Sequence, residues 1–319
     1  MKALISGISG QDGSYLAEFL LARNYQVFGL ERRVALEDQK YRRRKDVAVI
    51  IPCDITNYSS VFAAVQQIMP DEIYHLAAQS DVGYSFKDPF QTLDTNVIGT
   101  MNMLEAFRQL VPRARFYFAG TSEIFGSSPP PQNELTPMRP RSPYGVAKLA
   151  GFHLVRNYRE SYGLFACSGI LFNHESPRRG KEFVTRKITS TLAKIVRGEE
   201  TKIRLGNLDT RRDWGYAGDY VEAMWLMLQQ PKPDDYVIAT NETHSIKEFL
   251  NEAFKQVGLD WEEFVEQDPQ FVRPADVQEL QGDYSKAERV LGWKPRTKFK
   301  DLVKMMVEAD TKPVEMPSE

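Results

Sequence analysis

The sequence predicts an α/β protein: a doubly wound parallel sheet of the Rossmann type, with a smaller, discontinuous C-terminal substrate-binding lobe. Three observations predict it. An apolar strand at Lys2–Ser6 leads at once into Gly7-Ile8-Ser9-Gly10-Gln11-Asp12-Gly13, followed by a helical pattern through Tyr15, Leu16, Phe19 and Leu20. Strand, glycine turn and helix in that order are the context a dinucleotide site requires. Short apolar runs then alternate with helical stretches, which reads as parallel strands covered on both faces. Third, a strand-like run from Ala114 to Phe118 ends in Gly120-Thr121-Ser122-Glu123, and a polar, proline-rich loop then leads to Ser142-Pro143-Tyr144-Gly145-Val146-Ala147-Lys148.

In the first unit Gly7 permits the tight turn, Gly10 lets backbone approach a pyrophosphate, and Gly13 lets the helix pack on the sheet. Backbone N–H groups of Gln11 and Asp12 at the helix start face the anion. A plain turn is the competing reading, and three glycines in this setting weigh against it. The spacing is G-x-x-G-x-x-G, which resembles the short-chain dehydrogenase/reductase superfamily. The second strand, Gln26 to Leu30, ends in Glu31-Arg32-Arg33, with Arg42-Arg43-Arg44-Lys45 further on. An acidic residue at this strand end suits the ribose hydroxyl of NAD, whereas arginines suit the 2′-phosphate of NADP. With Arg32 and Arg33 both there, NADP is favoured; a solvated basic loop is the bland alternative.

Val47 to Ile51 is read as the third strand. After it, Asp54-Ile55 resembles the adenine contact of the superfamily. Glu72 to Leu76 is the fourth strand, leading into Ala77-Ala78-Gln79-Ser80, small residues that let a cofactor lie close. Asn96, on the next helix, orders that helix or a water, unless it is a surface side chain.

Thr121, Ser122 and Glu123 fall where the Ala114–Phe118 strand runs out. Ser142 caps the following helix with Pro143 at its first position, and Tyr144 and Lys148 lie one turn apart on one face. A lysine ammonium beside a phenol favours the phenolate and lowers its pKa from ~10. A hydroxyl, a carboxylate, a phenol and an ammonium thus converge on one substrate. Tyr-x-x-x-Lys alone is an ordinary helix pair; beside the strand-end Thr-Ser-Glu and the glycine turn, the catalytic reading prevails.

Phe165 to Leu171 is a further strand, running into Phe172-Asn173-His174-Glu175-Ser176-Pro177-Arg178-Arg179-Gly180. Beyond Gly180 the pattern changes. Phe183–Arg197, Asp213–Leu228, Ser245–Val257 and Tyr284–Leu291 read as helical, Lys202–Leu205 as a short strand, and Tyr236–Thr240 as a strand able to return to the sheet. Arg186, Lys187, Arg212 and Arg273 give this part a cationic lid suited to a diphosphate-bearing substrate.

Composition bounds the function. With 42% hydrophobic and 26% charged residues the chain is globular, not disordered. A net charge of −2 argues against a nucleic-acid binder resting on phosphate contacts. No apolar run approaches the ~20 residues of a membrane span, and the start at Met1-Lys2-Ala3-Leu4 shows no signal peptide. Cys53 and Cys167 read as buried reduced thiols, so a soluble cytoplasmic protein is expected. The four histidines form no ligand pair at metal spacing, so no metal is expected.

The chain resembles the GDP-mannose 4,6-dehydratases, extended members of that superfamily. The resemblance runs from Gly7 to Leu291-Gly292-Trp293-Lys294-Pro295. It is most specific in Gly169–Gly180, Phe183–Thr189, Leu205–Asp209, Arg212-Asp213-Trp214-Gly215 and Arg273-Pro274. It implies conversion of GDP-mannose to GDP-4-keto-6-deoxymannose plus water, with NADP regenerated in each turnover. Tyr144 would take the C4 hydroxyl proton as hydride leaves C4. Lys148 would hold the phenolate and the nicotinamide ribose. Thr121 would hydrogen-bond the C4 oxygen. Glu123 would remove the C5 proton and protonate the departing C6 hydroxyl. The resemblance further implies cofactor contacts at Gly7, Gly10, Gln11, Asp12, Gly13, Arg32, Asp54, Ile55, Leu76, Ala77, Ala78, Tyr144 and Lys148. For the GDP-sugar it implies Thr121, Asn173, Val184, Lys187, Arg212, Arg273 and Asp276.

Two parts are expected: residues 1–178 with 209–242 for NADP, and 179–208 with 243–319 for the GDP-sugar. The superfamily implies a homodimer through the helices carrying Tyr144 and starting near Thr95, with a tetramer as the alternative. Phe107, Leu149 and Phe152 are candidates for that helix face or for the core. The sequence departs from the family at Val34–Gln39, where a serine-rich loop shapes NADP binding and a tetramer contact, and at Ser168, Tyr216, Asp276 and Gly145. The alternatives are a dehydratase of another GDP-sugar such as a GDP-heptose, a GDP-4-keto-6-deoxymannose reductase, and a non-catalytic NADP-binding scaffold.

Overall fold

The computed structural model describes residues 1–32, 48–272 and 274–312. Six apolar segments form strands in chain order: β1 (Lys2–Ser6), β2 (Gln26–Glu31), β3 (Val49–Pro52), β4 (Glu72–His75), β5 (Arg115–Ala119) and β6 (Ala166–Leu171). A later strand, Asp235–Ile238, joins them by pairing parallel with β6, so the expected return to the sheet takes place. The seven lie in the order Asp235–Ile238, β6, β5, β4, β1, β2, β3, every pair parallel. The chain therefore winds outward from β1 to β3 and crosses back to place β4 on the other side of β1. The reversal opens a crevice beyond the carboxyl ends of β1 and β4, where ligands lodge in such sheets. The third strand begins at Val49; Val47, its expected start, lies outside the described residues.

Alternation along the strands fills both faces. Leu4, Ile73, Phe116 and Phe118 join Met103, Phe107 and Phe152 in one apolar cluster. Ala3, Ile5, Tyr74 and Tyr117 join Leu16, Leu20, Tyr220 and Met224 in the other. A third cluster lies apart, formed by Ile188, Leu192, Trp214, Phe249, Leu302 and Met306 with their neighbours. Tyr284, Ala287, Leu291 and Trp293 pack with the sheet cluster that holds Tyr220. Among the described residues no helix is long and apolar enough to cross a membrane.

One expected element is corrected. Residues 213–228 are not a single helix. Trp214–Tyr216 is a strand pairing parallel with Asn173–Glu175, and the helix begins only at Ala217 and runs to Gln229. The Asp213 carboxylate accepts from the backbone N–H groups of Thr240, Asn241 and Gly282 (2.8, 3.1 and 3.2 Å). That holds the segment extended while Trp214 packs on Phe249 and Phe299.

Candidate active site

The glycine turn is built for close backbone approach. Gly7 takes φ +73°, and a Cβ there would stand 2.9 Å from the Ala77 backbone. A Cβ at Gly13 would stand 2.4 Å from the Gly7 carbonyl oxygen, so the helix α1 (Gln11–Leu21) sits directly on the turn. Gly10 is its N-cap with no side-chain cap, leaving the first amides of α1 to an anion. The Glu31 carboxylate accepts from Ser9 N–H at 3.2 Å, so the end of β2 is tied to this turn. Arg32 closes the described stretch; Arg33 and the basic run 42–45 lie outside it.

A directed hydrogen-bond chain fixes the end of β4. Ser6 Oγ accepts from Leu76 and Ala77 N–H (3.1 and 3.2 Å), so its own proton goes to His75 Nδ1 at 2.8 Å. Thr100 donates to the Asn96 carbonyl at 2.7 Å, so it accepts from His75 Nε2 at 3.1 Å. His75 is thus neutral and protonated on Nε2, in keeping with burial, then the Lys148 charge, holding it down to about 3. Asn96 is buried, and its amide binds both backbone groups of Gln79 at 2.9 Å. It orders the Leu76–Ser80 segment; it is not a surface residue. Asp54 accepts from the Thr56 N–H and hydroxyl (3.0 and 2.8 Å), and Ile55 is buried against Gly99. Ala78 is half-buried beside this segment.

Thr121, Glu123, Tyr144 and Lys148 are buried together beyond the end of β5. Thr121 is extended and its Oγ1 accepts from Glu123 N–H at 3.3 Å, which starts a turn over Ser122–Ile124 and points the carboxylate segment back toward the helix. Ser142 caps the Pro143–Tyr162 helix by accepting from Gly145 N–H at 3.0 Å. The phenol of Tyr144 faces the Thr121 side chain and the Glu123 carboxylate. Its pKa is pushed up to about 12 by burial and by the Glu123 charge, with the Thr121 hydroxyl working the other way. Lys148 Nζ donates to the Ala119 carbonyl at 2.9 Å, and burial brings its pKa down to about 8.

The residues expected to hold a GDP-sugar are distributed around the third cluster. Asn173 pairs with Trp214 across the short sheet, and Val184 opens the Val184–Val196 helix, half-buried against the cluster. Lys187, one turn on, lies over the Phe271 ring at 3.6 Å. Arg212 is buried, its Nη1 donating to the Arg211 carbonyl at 2.9 Å and its Nη2 3.6 Å from Asp276. Arg273 lies outside the described residues. Arg186 is removed from the cationic lid: it forks onto Asp310 at 2.6 and 2.8 Å and is structural.

Sequence reasoning left several residues of this region without a role. His174 donates from Nδ1 to the Phe172 carbonyl at 2.7 Å and from Nε2 to Asp12 at 2.8 Å, so Asp12 faces this ring as well as the glycine turn. Gln11 donates to the His174 carbonyl and accepts from Ser176 (3.0 and 2.7 Å). Arg179 stands 3.2 Å from Glu175 and 3.6 Å from the Phe183 ring centre. The signal was the polar density of Asn173–Arg179 directly behind a buried strand.

Residues 4–306 match the family model described as GDP-mannose 4,6 dehydratase. The chain belongs to that family. Dehydratases of the family from Arabidopsis thaliana and Yersinia enterocolitica are 53% and 45% identical to it. Each alignment covers 97% of this chain, and 86% and 93% of the respective relative. Among solved structures, the UDP-glucose 4-epimerase of Thermus thermophilus, in complex with NAD, superposes with a TM-score of 0.86. It is 27% identical over 98% of this chain and all of that one. That of Thermotoga maritima, with UDP-glucose, reaches 0.86 at 25% identity over 97% and 98%. The chain thus shares its fold with these epimerases.

Proposed function

We propose that the chain is a GDP-mannose 4,6-dehydratase that converts GDP-mannose to GDP-4-keto-6-deoxymannose and water. The observation that carries the reading is the buried Glu123 carboxylate beside the Tyr144–Thr121 pair in a chain of this family. A nicotinamide dinucleotide fits the glycine turn: Gly7 lets the turn pass against Ala77, and the start of α1 offers its amides to a pyrophosphate. Gly7, Gly10, Gln11, Gly13, Leu76, Ala77 and Ala78 would hold it, with Asp54-Ile55 at the adenine and Tyr144 and Lys148 at the nicotinamide end. NADP is favoured over NAD, since Glu31 is engaged by the turn and Arg32 follows it. Bound there, it would supply a hydride acceptor and then a hydride donor, so that the reaction has no net redox change.

The chain's own groups divide the proton work. Tyr144 takes the C4 hydroxyl proton, and Thr121 holds the C4 oxygen. A phenol at about 12 needs positive charge nearby to act as a base, and Lys148, one helical turn away, is the charge the chain supplies. The 4-keto group acidifies C5–H; Glu123 removes that proton and delivers one to the departing C6 hydroxyl, and a proton then returns to C5, balanced by the one Tyr144 took from C4. Each such role is worth roughly 10²–10⁴-fold. Asn173, Val184, Lys187 and Asp276 position the GDP-sugar, with Arg212 and Arg273 at its diphosphate. The sugar nucleotide would be held by 179–208 and 243–319, the dinucleotide by 1–178 and 209–242. With both cysteines buried and unpaired, a cytoplasmic setting is inferred.

The first test is to incubate the protein with GDP-mannose without reductant and to weigh the product. Loss of one water with cofactor unchanged is expected, and Glu123→Gln should abolish product while leaving the cofactor bound. Full activity in that variant would remove Glu123 from the proton transfers at C5 and C6. A homodimer is also proposed. Phe107 and Phe152 are core, but Phe90, Leu93, Ile98, Met101 and Val146 expose apolar surface on or beside the two helices expected to pair. Light scattering that gives only the monomer mass would remove the dimer.

A further inference from the structure

We infer that Phe118 is a positioning residue for Lys148: the face of its ring, seated against Gly151, holds the lysine ammonium beside the Ala119 carbonyl. The inference deepens the dehydratase reading and rests on its assignment of Lys148 as the charge that serves Tyr144. Lys148 is 4% exposed, so water does little for its cation. Among the described residues its one hydrogen-bond acceptor is the Ala119 carbonyl at 2.9 Å. An ammonium carries three donors. The second group it faces is the Phe118 ring, whose centre lies 5.0 Å from Nζ. That is within reach of a cation–π attraction, which is strongest where water is excluded. His75 lies 6.1 Å from the same ring but cannot take this part, because Ser6 occupies its Nδ1 and its Nε2 donates to Thr100. The remaining titratable groups around the ammonium are Tyr144 on its own helix, Glu123 beyond the strand end and Asp12 on α1, whose carboxylate favours the charged form.

Gly151 supplies the second half. It follows Lys148 by three residues, on the same face of the Pro143–Tyr162 helix. A Cβ there would stand 2.6 Å from Phe118 Cζ, and 3.2 and 3.4 Å from the two Cε atoms. The helix therefore lies directly on the edge of a ring that is itself 1% exposed. Glycine in a helix interior is unfavourable in itself, and here its missing side chain is the room the ring occupies. Phe118 and Ala119 are neighbours on β5, so one strand end offers the ammonium both a ring face and a carbonyl. Held from the strand side in this way, the ammonium keeps its other donors for the phenol and for a bound dinucleotide.

The experiment follows the titration of Lys148 by NMR in the full chain, isotope-labelled at lysine Cε, with the signal assigned by its loss in Lys148→Met. The parent midpoint is expected at about 8. Phe118→Leu removes an attraction that only the charged form enjoys, so the midpoint should fall by roughly half to one pH unit. The alkaline limb of turnover with GDP-mannose should move down with it. Gly151→Ala, which forces the ring from its seat, should lower the midpoint as well. Adding Gly151→Ala to Phe118→Leu refills part of the lost volume, so the melting temperature should recover while the midpoint stays low. A midpoint that recovered together with the melting temperature would make the ring mere packing and overturn the proposal. So would an unmoved or raised midpoint in Phe118→Leu, the result expected of a ring that only keeps water out, or an alkaline limb that stays put while the midpoint falls. A parent chain that left GDP-mannose unchanged would overturn the dehydratase reading, and the NMR midpoints would still decide the part played by the ring.

Discussion

Lys148 costs the fold more than it returns to it. Its ammonium is buried with a single hydrogen bond, to the Ala119 carbonyl, and burial holds its pKa at about 8. In the unfolded chain it titrates near 10.4. Between those values the unfolded chain binds a proton the folded chain has released, so stability rises with pH across that window. Below it both states carry the proton and the burial cost is complete. Lys148→Met should therefore be more stable at pH 7 by on the order of 1–3 kcal/mol, and so melt at a higher temperature, while losing turnover. Calorimetry beside an activity assay checks both; a lower melting temperature would mean that the Ala119 hydrogen bond outweighs the desolvation. His75 behaves oppositely because its partners suit the neutral ring. Held down to about 3, it adds no titration to an activity profile near neutrality.

At the scale of the element, the helix carrying Tyr144 and Lys148 was legible and the segment after Arg212 was not. Ser142, Pro143 and a terminal Gly163 with φ +65° mark the first helix by local chemistry that any fold would obey. The sheet strands were legible for the same reason, within a residue or two, because alternation needs only neighbours. Residues 213–216 are extended by partners far along the chain, and no local pattern carries that information. Their anchor is Asp213, fully buried, with burial pushing its pKa up to about 7 against four donors that pull it down. An amide in its place can turn only one oxygen to those donors. Asp213→Asn is thus expected to cost about 2–3 kcal/mol, the penalty of stranded buried donors. Because it releases the strand next to Arg212, KM for the GDP-sugar should rise more than kcat falls. Denaturant melts and steady-state kinetics test the two parts; parental values in both would show that the extended segment is held by the Trp214 packing alone. Of the residues proposed for the GDP-sugar, Lys187 and Arg212 were read from their charge, whereas Asn173 and Val184 came through resemblance alone, since they share no spacing in the chain.

For the molecule as a whole, the dinucleotide turn and the Asn173–Arg178 segment act as one body because a charged clamp joins them. Gln11 and Asp12 meet His174 and Ser176, while Arg178 donates to Ser14 and Glu18 and lies 4.0 Å over the Tyr15 ring. His174 donates from both nitrogens, to Phe172 and to Asp12, which only the imidazolium can do. Burial opposes that charge, but the Asp12 carboxylate outweighs it and the pKa of His174 is raised; the same pairing lowers that of Asp12 against its burial. A raised histidine pKa means stability fully present below about 6.5, the unfolded value, and lost as pH climbs through the folded one. The lowered carboxylate contributes above its unfolded value near 3.9 and loses that contribution only in acid. The clamp is therefore tightest in mildly acidic solution and loosens on the alkaline side. His174→Gln keeps a donor for Asp12 but cannot titrate. The parent chain should exceed this variant in stability most at pH 5.5–6.5, and the gap should narrow toward pH 9; taking the difference removes the opposite trend that Lys148 adds to both chains. A gap that stays constant with pH would mean a neutral ring in the folded protein. Since the clamp connects α1 to the strand bearing Asn173, the same titration should weaken dinucleotide and GDP-sugar binding together in the parent chain, and neither in the variant.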